Sequence, residues 1–168
     1  MASGDIKQAN AASANYTITL TSLATDTNVL AGRQGTKVDN TTNLYLDYLI
    51  SGFITTGTSP TAGRIEVWAY GNIDDVPTYP DTITGTDGNV TLTTADIKGH
   101  GLALIDSMPT DSTSNRKYPF KPTALTSLFG KVPKYHGIFV VHNTAVNLNS
   151  TGSNQQITYT PIYATVAP

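Results

Sequence analysis

The sequence contains no cysteine and only one glutamate, Glu66, and charged residues make up 13% of it. The missing cysteine excludes a disulfide framework, thiolate metal sites and cysteine nucleophiles together. The scarcity of glutamate, lysine and arginine removes the strong helix formers, so long helices are not expected. Ten lysines and arginines against twelve acidic residues leave a net charge of −2. The cations are scattered singly and make no basic stripe that could neutralise phosphates, so nucleic-acid binding is not expected. No segment approaches the ~18 consecutive apolar residues that span a bilayer, and residues 1–14 lack the apolar run of a secretory signal. The expectation is a soluble chain without a membrane partner, not exported by the common route.

Threonine, serine, asparagine and glycine fill the space that charge leaves. Threonine is β-branched and suits strands, whereas serine and asparagine compete with a helical backbone for hydrogen bonds. Apolar residues alternate at period two in the stretch around which the chain is organised, residues 44–70. Leu44, Leu46, Tyr48, Ile50 and Ile54 share one face with Gly52, and Ile65, Val67 and Ala69 share another. With Gly57, Pro60 and Gly63 between them, the two runs read as a hairpin. Residues 15–23 alternate in the same way and read as a strand. Residues 26–42 read as a long polar connection, and residues 71–88 as a dense run of turns.

Further on, Thr94 is expected to cap one helical turn that Gly99 closes, and Thr123 to cap a short helix that Gly130 stops. Residues 135–143 are bulky and apolar, as in a strand buried on both sides, and residues 155–166 alternate again. Pro161 argues that this last strand lies at an edge or carries a bulge. The fold expected from these 168 residues is all-β: a single antiparallel β-sandwich of jelly-roll type over residues 15–168, with one short helix. Residues 1–14 form a flexible arm ahead of it, with Ile6 as its apolar anchor.

Little in the sequence carries chemistry. His136 and His142 share a strand face but stand roughly 20 Å apart at ~3.4 Å per residue, too far to hold one ion. His142 is expected at a polar strand end, His136 on a surface or interface, and His100 in a loop between two glycines. Asp74, Asp75, Asp81 and Asp87 are expected to shape turns, with a calcium site near Asp81 and Asp87 the less favoured reading. Asp47, inside an apolar strand, calls for a partner such as Arg64 or Lys37. There is no nucleophile elbow and no phosphate loop. No catalytic, cofactor or metal site is assigned, and enzymatic activity is not expected. Tyr45, Leu49, Phe53, Trp68 and Tyr70 oppose the core faces of the central strands and form a candidate patch. Either loops of the same chain cover it or it is buried against another subunit.

Two stretches carry a resemblance. SLFGKVPKYHGIFVVHNTAVNLNSTGSNQQITYTPIYATV, residues 127–166, and NLYLDYLISGFITTGTSPTAGRIEVWAYG, residues 43–71, look like strand and loop words that recur in small virion proteins of tailed bacteriophages. The resemblance implies a structural component of the virion, made in the bacterial cytoplasm, and within that class a capsid decoration, or cement, protein. The implied partner is the lattice of major capsid protein, with self-association into a dimer or trimer, and the implied capsid contacts are Ile6 and Lys7 of the arm. The alternative is a tail-fibre or receptor-binding module that recognises host glycan, and a weaker one is a free carbohydrate-binding domain.

Overall fold

The computed structural model describes residues 4–166. Two antiparallel sheets share one core. The first has the order β1 (Ile6–Asn10), β11 (Gln156–Val166), β5 (Asp47–Thr55), β9 (Lys117–Ala124), with β2 (Ala14–Asn15) also on β11. The second has the order β7 (Gly88–Thr91), β3 (Ala31–Gln34), β10 (Tyr135–His142), β6 (Gly63–Asn72), β8 (Ala103–Thr110), with β4 (Val38–Asp39) also on β10. The pairing is nested. The first strand pairs with the last, β3 with β10, β5 with β9 and β6 with β8. Among the described residues there are two short α-helices, α1 (Ala95–Gly101) where a single helical turn was expected and α2 (Leu125–Phe129) where the one short helix was.

The alternation in residues 44–70 marks the core from Tyr48 onward, whereas Leu44 and Leu46, expected on the same face, precede β5 and are exposed. Tyr48, Ile50 and Ile54 from the first sheet meet Ile65, Val67 and Ala69 from the second, all buried in one cluster. The two strands are nevertheless not a hairpin. β5 pairs with β11 and β9, β6 with β10 and β8, and residues 56–62 carry the chain across from one sheet to the other. Period two reports that one face is buried and not which strand lies alongside. Gly52 interrupts the apolar row for a steric reason: a Cβ there would stand 2.2 Å from the Gln156 carbonyl of β11, at the irregularity in the β5–β9 register.

Residues 16–23 alternate as predicted, with Tyr16, Leu20 and Leu23 buried, but belong to neither sheet. The Tyr16 N–H donates to the Ile157 carbonyl while the Thr17 carbonyl accepts from the Thr36 N–H, so the segment leaves one sheet for the other. The expected connection 26–42 contains β3 and β4. The second sheet is buried on both sides, because residues 73–102 fold over its outer face and place Tyr79, Ile83, Val90, Leu92 and Leu102 on Tyr70, Phe139 and Val141. That cover explains the unbroken apolar run of β10.

Pro161 is neither at an edge nor in a bulge. β11 is interior, and the missing N–H faces the gap between β1 and β2, where residue 11 still donates its N–H to the Pro161 carbonyl. α1 starts at the Thr94 cap as expected and runs on past Gly99. α2 starts later than expected. Thr123 lies in β9, Ala124 is the cap residue without a side-chain bond, and Gly130 (φ 75°) ends the helix.

Candidate functional site

The side chains with the best chemical credentials are consumed by structure. His136 and His142 are both fully buried, which corrects the surface or interface position expected for His136, while His142 does end strand β10 as expected. Both point into the space between the sheets. His136 shares a hydrogen bond of 2.8 Å with the Tyr16 hydroxyl, and its Nε2 has no partner in the protein. Tyr48 and Tyr159 close around it with ring centroids at 4.4 and 6.4 Å. His142 contacts the Thr144 hydroxyl and the Leu23 carbonyl, each at 3.0 Å. His100 is exposed in the last turn of α1.

The acidic residues are likewise engaged. Asp87 accepts from Arg33 through both carboxylate oxygens, at 2.7 and 2.8 Å, and from the Thr19 hydroxyl at 2.7 Å. Burial pushes its carboxyl up, but the hydrogen bonds from Arg33 and Thr19 outweigh that and hold it below the usual carboxylate range. Asp81 accepts from the Thr93 N–H and hydroxyl, and Asp75 pairs with Lys134 at 2.6 Å. Among the described residues no three histidine or acidic side chains converge as metal ligands. Asp47 pairs with neither Arg64 nor Lys37. It caps α2 by accepting from the Thr126 N–H at 3.0 Å and from its hydroxyl at 2.5 Å.

Glu66 is the hub of a buried cluster that sequence reasoning did not find. It accepts from Lys98 Nζ at 2.7 Å, Arg64 Nε at 2.5 Å and Trp68 Nε1 at 2.9 Å, and Lys98 also donates to the Val29 carbonyl. The cluster pins α1 to the outer face of the second sheet. The one available signal was that Glu66 and Trp68 lie on the strand face that period two assigns away from the core.

The expected aromatic patch is divided. Leu49 and Phe53 are half-buried on the outer face of the first sheet, with Lys117 Nζ 4.0 Å from the Phe53 ring centre. Trp68 and Tyr70 lie on the opposite outer face, the tryptophan half-buried beside Lys98 and Tyr70 completely enclosed. Because β5 and β6 are in different sheets, these faces point in opposite directions and cannot form one surface. Tyr45 packs on Tyr48 and Tyr163 instead.

Among the described residues, five of the eight exposed large apolar side chains gather at one end of the first sheet, while Ile73, Val76 and Leu104 stand apart from them beside the second. β11 continues past β5, whose last partner is Ile162, so residues 163–166 have only β1 beside them. This leaves a projecting two-stranded ribbon, a form only marginally stable in water. Its exposed apolar side chains are Ile6 (79%), Val166 (63%) and Tyr163 (39%), and the adjoining loop adds Leu44 (70%) and Leu46 (54%). The loop is rigidly held. Asn40 accepts the Tyr45 N–H and the Tyr48 hydroxyl on Oδ1, donates to the Tyr45 carbonyl, and its own carbonyl accepts the Leu44 N–H. Leu44 is thereby kept at φ 50°, a left-handed conformation that costs a leucine ~1–2 kcal/mol. Between loop and ribbon lies a shallow hollow of about 600 Å3 floored by Tyr45, Tyr163 and Ala164. Ile6 and Lys7, expected on a flexible arm, are held in β1 on the ribbon.

Compared with known proteins, the chain matches no family model, no curated protein and no solved structure.

Proposed function

We propose that this chain is a non-enzymatic virion protein of a tailed bacteriophage that docks on the assembled capsid and stabilises it, as a decoration or cement protein. The observation that carries the reading is the loop 43–46. A leucine held in a strained conformation and turned to solvent contributes nothing to its own core, and its neighbour Leu46 is more than half exposed. A pre-set apolar projection of this kind is what a rigid protein surface can receive without an ordering cost. Contiguous exposed apolar area of this sort marks interaction sites on soluble proteins. The resemblance in residues 43–71 and 127–166 supplies the identity of the partner. A protein that binds only the assembled lattice stabilises it by mass action. Ile6 and Lys7 lie in β1 on the adjoining ribbon, with the Ile6 side chain still exposed, so the apolar lattice contacts centre on Leu44 and Leu46 with Ile6 beside them.

The finer fold reading belongs with this proposal. A jelly roll is one long hairpin rolled up, so its strands pair first with last and so on inward, and the nested order of the two sheets supports it. The alternative, a fibre module that recognises host glycan, is favoured by one feature. A groove of about 380 Å3 beside β3 and β7 is lined by Thr19, Thr21, Thr25, Arg33 and Asn89, side chains that suit sugar hydroxyls.

Co-sedimentation with expanded, undecorated heads of the phage that encodes the chain tests the proposal. The natural protein should pellet with the heads in many copies per particle, and the double substitution Leu44→Asp, Leu46→Asp should abolish pelleting while leaving the melting temperature unchanged. Failure to bind heads, or equal binding by the double variant, would refute it.

A further inference from the structure

The outer edge of β1 presents an open backbone ladder, as does the far edge of residues 163–166 on the same ribbon, and the sequence of β1 is self-complementary. The direction of each peptide group follows from the register. Residue 11 donates to Pro161 of β11, and hydrogen-bonding direction alternates along a strand, so Lys7 and Ala9 also turn to β11. Ile6, Gln8 and Asn10 therefore present their N–H and C=O groups outward. Of the two-fold registers open to a second β1 laid antiparallel on this edge, three are centred on the residues nearest Lys7: Gln8, Lys7 itself and Ile6. Centred on Gln8, the pairing places Ile6 opposite Asn10 and leaves Lys7 facing Ala9. Centred on Lys7, it sets the two lysines directly opposite one another, which is unfavourable. Centred on Ile6, it sets Asp5 opposite the partner's Lys7 and the partner's Asp5 opposite Lys7.

These two ion pairs fall at non-hydrogen-bonded positions, where facing side chains are closest. The two Ile6 residues meet at the centre and exchange both backbone hydrogen bonds. Ile6 stands opposite Val166 within the chain. The assembled sheet would therefore carry a row of Val166, Ile6 and their two symmetry mates, burying side chains that are now 63% and 79% exposed. A single lysine on an edge strand ordinarily discourages pairing. With Asp5 two residues away, Lys7 instead selects a register.

We propose that two copies of this chain associate through β1 in the register centred on Ile6, making one continuous sheet across a two-fold axis. The partner is a second copy because the complementarity is of the strand with itself. The pairing does not depend on the lattice-binding reading, and its test contains no capsid.

Sedimentation velocity over a range of concentrations should show a monomer–dimer equilibrium. Lys7→Glu and Asp5→Lys should each weaken the dimer by about tenfold or more, since each sets like charges opposite one another twice. The double variant Asp5→Lys, Lys7→Glu should restore it. The chain has no cysteine, so single cysteines report the register cleanly. Ile6→Cys should form a covalent dimer under mild oxidation, because paired Cα atoms ~5.5 Å apart lie within disulfide reach. Asn10→Cys should not. A natural protein that stays monomeric at its solubility limit would overturn the proposal. So would a dimer indifferent to the single charge reversals, a double variant that fails to recover, or cross-linking through Asn10→Cys. Circular dichroism on each variant, with melting temperatures equal to the natural protein's, separates lost association from lost folding.

Discussion

His136 is enclosed by Tyr16, Tyr48 and Tyr159, whose hydroxyls are uncharged at any pH where a histidine titrates. Burial lowers its proton affinity so far that it titrates at about pH 3, and burial also lowers that of His142, partly offset by the Leu23 carbonyl. An unfolded histidine takes up a proton near pH 6.5. In the interval between, the unfolded chain binds more protons than the folded one, so the stabilising contribution is full above pH 6.5 and declines on acidification. His136 alone should cost about 2 kcal/mol between pH 6.5 and pH 5. Urea unfolding at the two pH values should show this loss, and His136→Phe should reduce it, leaving the share of His142. At Glu66 burial raises the carboxyl pKa, but the hydrogen bonds from Lys98, Arg64 and Trp68 prevail and lower it. That contribution is present above about pH 4.5 and lost as pH falls further. Glu66→Gln strands the Lys98 ammonium in the interior and should cost about 3 kcal/mol by urea unfolding. Adding Lys98→Met should recover most of it.

Among the elements, α2 depends on a residue far away in sequence. Asp47→Ala removes the acceptor for the Thr126 N–H and should cost about 1 kcal/mol, read from the denaturant midpoint. β1 makes the opposite point about the N-terminal segment. An arm free of the body could be deleted without thermal consequence, but β1 faces Ile162–Val166 of β11 over five residue pairs. Deleting residues 1–12 should therefore lower the melting temperature by several degrees, and an unchanged melting temperature would show that β1 contributes nothing. β5, β6 and β11 were legible because one buried face imposes period two, and β10 because a strand covered on both sides is apolar throughout. β3 was not. Ala31, Gly32, Arg33 and Gln34 show no apolar row, and Gly32 is there because a Cβ would stand 2.2 Å from the Val140 carbonyl. Residues 16–23 show the converse. Alternate burial without a ladder reads like a strand, since the pattern records contact with the core and is silent on hydrogen bonding. The candidate surface was legible only as single residues. Leu44 and Leu46 were assigned to the core face, and nothing in their spacing discloses that β5 begins after them, at Asp47.

At the scale of the molecule, the nested pairing decides when the structure can exist. β6 and β8 are the innermost pair, whereas β11 forms the centre of the first sheet from the last residues of the chain, between β5 and the two N-terminal strands. A chain ending at Gln155 would lack the strand that pairs with Asp47–Phe53 of β5, and the burial supplied by Ile157. It should show no cooperative thermal transition by circular dichroism, while the second sheet's own strands retain some β-rich content. During synthesis, then, the ribosome would hold a chain with nearly all its core side chains made and half its core unclosed. Pairings this distant in sequence are slow to form, so the exposed face of β5 would spend that interval open to the wrong partners. A protein built this way closes its first sheet only when the eleven residues of β11 arrive beside β5, and its yield in a cell should follow how quickly that pairing is made.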